Sequence, residues 1–144
     1  MRTVMAFGTF DLLHLGHLRY LGAAKKFGDR LVVVVARDAT VRRLKGGRPF
    51  FSERERLEFV KALRVVDEAV LGGRGDRFQI IRRMRPAVVV LGYDQEEDAA
   101  GLEKWLAEGG LRTRVVRLKA AYKPRKHKSS VLRKVGGGRR SRFI

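Results

Sequence analysis

Two histidines three residues apart, His14 and His17, follow a Gly8-Thr9-Phe10-Asp11 loop directly and flank Gly16. Imidazole exchanges a proton near neutral pH, so a pair of rings can hold and polarise an anionic oxygen. Three positions apart on a helix, they fall on one face of its first turn, near enough to share one phosphate group. That turn also offers N–H groups without intrahelical partners and the positive end of the helix dipole. Gly16 leaves room for a phosphate or base against the backbone, and Gly8 lets a ligand approach the chain closely. The chemistry these residues suit is the holding and polarising of a nucleoside triphosphate. A lone histidine at a helix start is ordinarily a cap, but two around a glycine after such a loop are harder to explain by packing. A zinc site is a weak rival, because no third ligand lies near His-x-x-His and the chain has no cysteine.

Such a pair needs a strand before it and a helix after it. Val4 to Phe7 is an apolar run of the length of a buried parallel strand. From about Leu15 the pattern turns helical, with Leu18, Leu21, Gly22 and Lys25 spaced by three or four. Arg30 to Ala36 reads as a second strand, Asp38 to Leu44 as a short helix, and Gly46-Gly47-Arg48-Pro49 as its break. Ser52-x-x-Glu55 is a capping box opening a helix that carries Leu57, Val60 and Leu63. Strands are expected at Val66–Leu71, Ala87–Leu91 and Thr113–Leu118, with helices at Asp76–Met84 and Ala99–Glu108. In the last of these helices Leu102, Trp105 and Leu106 should face inward. Strands and helices in alternation predict an α/β fold: a parallel, Rossmann-like five-stranded sheet with helices on both faces, in a single domain.

Composition fits one domain. The chain has 144 residues and no cysteine, which excludes disulfides and thiolate metal sites and suits the cytoplasm. No apolar stretch is long enough to span a membrane, and the chain starts directly on a strand, with no signal peptide evident. The balance of 33 Lys+Arg against 15 Asp+Glu gives +18. A charge-rich surface of the kind that accompanies growth at high temperature is one explanation. Attraction of polyanionic substrates, with nucleic acid as a secondary partner, is the other.

The segment Gly8-Thr9-Phe10-Asp11-x-x-His14-x-Gly16-His17 resembles the signature of the cytidylyltransferase-like nucleotidyltransferases, Rossmann-like enzymes that move a nucleotidyl group onto a phosphorylated acceptor. The resemblance covers about residues 2 to 135. Val32-Val33-Val34-Val35-Ala36-Arg37-Asp38 resembles the family's second strand and the aspartate after it, and Lys45 its flexible-loop lysine. Arg56 resembles its third-helix arginine, and Gly92-Tyr93-Asp94-Gln95 its G-x-D turn. Within the family the chain is more similar to the archaeal FAD synthetases than to the glycerol-phosphate cytidylyltransferases, which typically follow G-x-D with tryptophan. The resemblance therefore implies transfer of AMP from ATP to FMN. CTP with glycerol 3-phosphate is the alternative, and a basic nucleic-acid-binding protein on the same fold a remote one.

The resemblance also implies roles. His14, His17 and Lys45 are expected to be catalytic, and Gly8, Thr9, Phe10, Gly16, Arg56, Gly92 and Asp94 to bind nucleotide. Ser129 and Ser130, after Lys128 at the start of a short helix, are expected to hold the β and γ phosphates, although two serines there are also ordinary caps. Asp11, Asp38 and Tyr122 are assigned to the acceptor, with Asp11 a candidate for orienting a metal. Mg²⁺ or another divalent cation, ATP, FMN, pyrophosphate and a homodimer partner complete the expectations. Residues 1–135 form the expected catalytic domain and 136–144 a basic flexible tail.

Overall fold

In a computed structural model, which describes residues 1–75, 78–92, 95 and 98–119, five strands form one parallel sheet in the order β3-β2-β1-β4-β5. They are β1 (Thr3–Gly8), β2 (Arg30–Val35), β3 (Glu68–Leu71), β4 (Val88–Leu91) and β5 (Arg114–Arg117). The helices are α1 (Leu15–Lys25), α2 (Asp38–Lys45), α3 (Glu53–Lys61), α4 (Gln79–Met84) and α5 (Ala99–Glu108). The valine runs become strands because a parallel sheet covered on both faces buries every side chain. β2 is buried from Leu31 to Val35, and β4 throughout.

Alternation along the strands divides the core in two. Val4, Ala6, Leu31, Val33, Val35, Val88 and Val90 pack with Leu21 and Ala24 of α1 and Val60 of α3. Met5, Val32, Val34, Val89 and Leu91 face the other way, onto Ile80 and Ile81 of α4 and Leu102 and Leu106 of α5. The chain thus winds from β1 outward to β3 with helices on one face, then returns beside β1 and covers the other face. That reversal puts the switch point between β1 and β4, where open α/β sheets bind ligands.

Local signals set several boundaries. Ser52 Oγ accepts from Glu55 N at 3.2 Å and Glu55 Oε1 from Ser52 N at 3.3 Å, the expected capping box. The helix expected from Asp76 begins in the described residues at Gln79, and Arg85, at φ 49°, ends it ahead of Pro86. β3 starts at Glu68 rather than Val66, because Val66 N turns back to the Leu63 carbonyl. Trp105 is only half-buried: the Arg82 guanidinium lies 4.0 Å over its ring.

Candidate active site

β1 ends at Gly8, and the chain reaches α1 through a loop with two non-glycine residues in the left-handed region, Phe10 at φ 56° and Leu12 at φ 52°. Such geometry costs roughly 1–3 kcal/mol per residue and persists only where the surroundings impose it. Here they do. The Phe10 ring is buried, 5.6 Å from the His17 ring, and a Cβ on Gly8 would lie 2.8 Å from it. Asp11 is fully buried, and its two carboxylate oxygens accept from Phe50 N at 2.6 Å and Phe51 N at 3.0 Å. The loop is pinned from below by a ring and from the side by a carboxylate.

His14 caps α1 in extended geometry, and its Nδ1 accepts from Gly16 N at 3.0 Å. In return His17 Nδ1 accepts from His14 N at 3.2 Å. The two histidines form a reciprocal capping box in which imidazole nitrogens replace the usual hydroxyl and carboxylate. Because each Nδ1 accepts, the neutral rings carry their proton on Nε2. The ring centroids are 4.1 Å apart, at 38°. Burial first, then electrostatic repulsion from His14 and Lys45, holds His17 at about 3 against an ordinary 6.5, so it is a neutral N–H donor at physiological pH.

Lys45 is the last residue of α2, not part of the glycine-rich loop, and Gly46 at φ 79° closes the helix behind it. Its Nζ lies 3.2 Å from Thr9 Oγ1, across the mouth of the loop. His14, His17, Thr9 and Lys45 are thereby gathered at the carboxyl end of β1, beside the N-terminus of α1: two N–H donors and an ammonium suited to an anion.

Other expected ligands have different work. Arg56 is fully buried: its Nε donates to Phe51 O at 3.0 Å, Nη1 to Thr9 O at 2.8 Å and Ala36 O at 2.7 Å, and Nη2 to Asp38 Oδ1 at 2.7 Å. Four of its five N–H groups are used on the protein, so it is a structural tie between the ends of β1 and β2 and the start of α3, not a phosphate ligand. Asp38 is its ion-pair partner. Asp11 holds the loop before α3 through both its oxygens. Phe10 is core, not nucleotide contact. Gly8 is required by the Phe10 ring rather than by a ligand, and the Gly16 N–H is taken by His14. Asp94, Tyr122, Ser129, Ser130 and the expected tail lie outside the described residues.

At the other edge of β1, Gly92 N donates to Gln95 Oε1 at 2.8 Å, and Gly92 O accepts from Arg117 Nη1 at 3.1 Å. Gln95 Nε2 donates to Phe7 O at 2.7 Å, and Tyr20 Oη donates to Val90 O at 2.8 Å. Gln95, Tyr20 and Arg117 were given no role from sequence. Tyr20, three positions after His17 on α1, was the available signal.

The sequence model of the cytidylyltransferase-like family matches residues 5–135. An FAD synthase from Thermoplasma volcanium is 45% identical over 134 residues, 93% of either chain. One from Methanothrix thermoacetophila is 51% identical over 118 residues, 82% of this chain and 81% of its own. A crystal structure described as a lipopolysaccharide core biosynthesis protein from Thermoplasma volcanium matches with a TM-score of 0.81 at 46% identity, covering 85% of this chain and 98% of that one.

Proposed function

The chain belongs to the cytidylyltransferase-like family, and from its FAD synthase relatives and its histidine pair we infer that it is an FMN adenylyltransferase. It transfers AMP from ATP to the phosphate of FMN, giving FAD and pyrophosphate. A phosphate oxygen of FMN attacks the α-phosphorus in line, and the bond from that phosphorus to the pyrophosphate oxygen breaks, with no covalent enzyme intermediate. The nucleophile is already an anion, so no general base is needed and the protein contributes positioning and charge stabilisation. His14 and His17 direct Nε2–H groups at the charge growing on the α-phosphoryl and bridging oxygens, and Lys45 adds a positive charge beside Thr9. The reciprocal imidazole capping box carries this reading: it fixes both donors by backbone N–H groups before any ligand arrives.

Asp11, Asp38, Phe10 and Arg56 act by holding the loop in shape. Ser129 and Ser130 for the outer phosphates, Asp94 for a ribose or base edge and Tyr122 for the acceptor are supported by resemblance alone. So are the homodimer, the cytoplasmic location and the division into residues 1–135 and 136–144. Among the described residues no group of three or more His, Asp or Glu could hold a metal, and Asp11 is engaged. A divalent cation fits this site as the counter-ion of the triphosphate. No helix of the described residues is long and apolar enough to cross a membrane.

The test is product analysis after incubation with Mg²⁺, FMN and either ATP or CTP. FAD and pyrophosphate from ATP alone are expected. CTP-dependent transfer to glycerol 3-phosphate, with no flavin product, would replace the reading with its cytidylyltransferase alternative.

A further inference from the structure

Pairing between β1 and β4 runs only through Ala6↔Val90, whereas β1 continues beside β2 as far as Gly8↔Val35. Gly8 O accepts from Ala36 N on the β2 side, so by alternation the buried Phe7 presents its N–H and C=O to the β4 side. The Ala6↔Val90 pairing engages the Phe7 N–H, but no β4 rung meets the Phe7 C=O. Side chains complete the set: Tyr20 Oη accepts from Phe7 N at 3.3 Å while donating to Val90 O at 2.8 Å, and Gln95 Nε2 donates to Phe7 O at 2.7 Å. Gln95 is bonded at both ends. Its Oε1 accepts from Gly92 N at 2.8 Å, its own N donates to Gly92 O at 3.2 Å, and Arg117 Nη1 donates to its carbonyl. The Gln95 amide thus stands as a wedge where the next rung, from Gly92 N to Phe7 O, would lie, with Tyr20 Oη at its edge.

We propose that Gln95 is the positioning residue that sets the width of the nucleotide-base crevice at this switch point and, through that width, the preference for a purine triphosphate. The inference rests on the adenylyltransferase reading, in which the phosphates lie at the histidine pair and the base extends into the crevice between β1 and β4. A backbone rung would draw the two strand ends to ladder spacing, about 4.8 Å apart, and leave no slot for a planar base. The half-buried amide satisfies the same backbone groups from a greater distance. Its replacement by leucine keeps the bulk but strands Phe7 O and Gly92 N, which favours collapse of the gap.

The experiment is calorimetric titration of the full-length chain with ATP and with CTP, without flavin, for wild type, Gln95→Leu and Tyr20→Phe, alongside steady-state kinetics. Gln95→Leu is expected to weaken ATP about tenfold or more and to shrink the ATP-over-CTP preference, with KM for FMN and kcat at saturation nearly unchanged. Tyr20→Phe should move both quantities the same way by less, and it decides the matter if Gln95→Leu does not fold. Unchanged ATP affinity and preference in a folded variant would overturn the proposal, as would a loss confined to FMN. Wild type that binds ATP yet forms no FAD would fail the functional reading instead, leaving the wedge to be judged on nucleotide affinity.

Discussion

His14 and His17 cap their own helix with each other's help: His17 Nδ1 accepts the His14 N–H, and His14 Nδ1 accepts the N–H of Gly16. The same geometry satisfies two orphan donors through the Nδ1 edge of each ring, opposite its Nε2 edge. In the proposed mechanism, structure and catalysis therefore use opposite edges of each ring, and substitutions can separate them.

Asparagine reproduces the Nδ1 edge of histidine and glutamine the Nε2 edge. His17→Asn should keep the cap and lose about 10²–10³ in kcat, the usual effect of removing one preorganised donor. His17→Gln puts the ordinary capping-box residue at this position, so it should keep stability within about 1 kcal/mol of wild type while retaining more activity than His17→Asn. Turnover and urea midpoints on both variants check this, and wild-type turnover in His17→Asn would remove His17 from the chemistry.

His17 should also make stability pH-dependent. Its pKa lies at about 3 in the folded protein against 6.5 unfolded, so between those values the unfolded chain binds the extra proton. Its contribution is complete above pH 6.5 and declines progressively as pH falls toward 3. Urea midpoints measured from pH 7 to 4 should fall, and the fall should be shallower in His17→Asn.

Arg56 predicts a loss of stability rather than of ATP affinity. Removing its guanidinium strands the carbonyls of Thr9, Ala36 and Phe51 and the Asp38 carboxylate. Arg56→Met should cost about 3–5 kcal/mol, in the range for breaking buried charged networks. An unchanged urea midpoint with weakened ATP binding would return Arg56 to the phosphates.

Gly8 and Phe10 should be energetically coupled. A Cβ at Gly8 would lie 2.8 Å from a buried ring, so Gly8→Ala should cost about 1–3 kcal/mol by overpacking. In Phe10→Leu, where the ring is gone, the same change should cost much less. A double-mutant cycle on unfolding free energies measures the difference, and additive costs would disprove the contact.

Periodicity and local chemistry determined much by themselves. The valine runs could only be strands covered on both faces, and Ser52-x-x-Glu55 could only open a helix, because both signals act within a few residues. The histidine pair was legible for the same reason: three positions on a first turn make neighbours whatever the remainder of the chain does. Tertiary structure decided the rest. Asp11, Arg56 and Asp38 carried the charges of ligands and turned out to hold the protein, through partners such as Phe50, 39 residues from Asp11, and Thr9, 47 from Arg56. Gln95 acquired its wedge role from Phe7, 88 positions away. A side chain's type limits which hydrogen bonds it can make; whether substrate or backbone takes them depends on which distant groups the fold brings within 3 Å and seals from water.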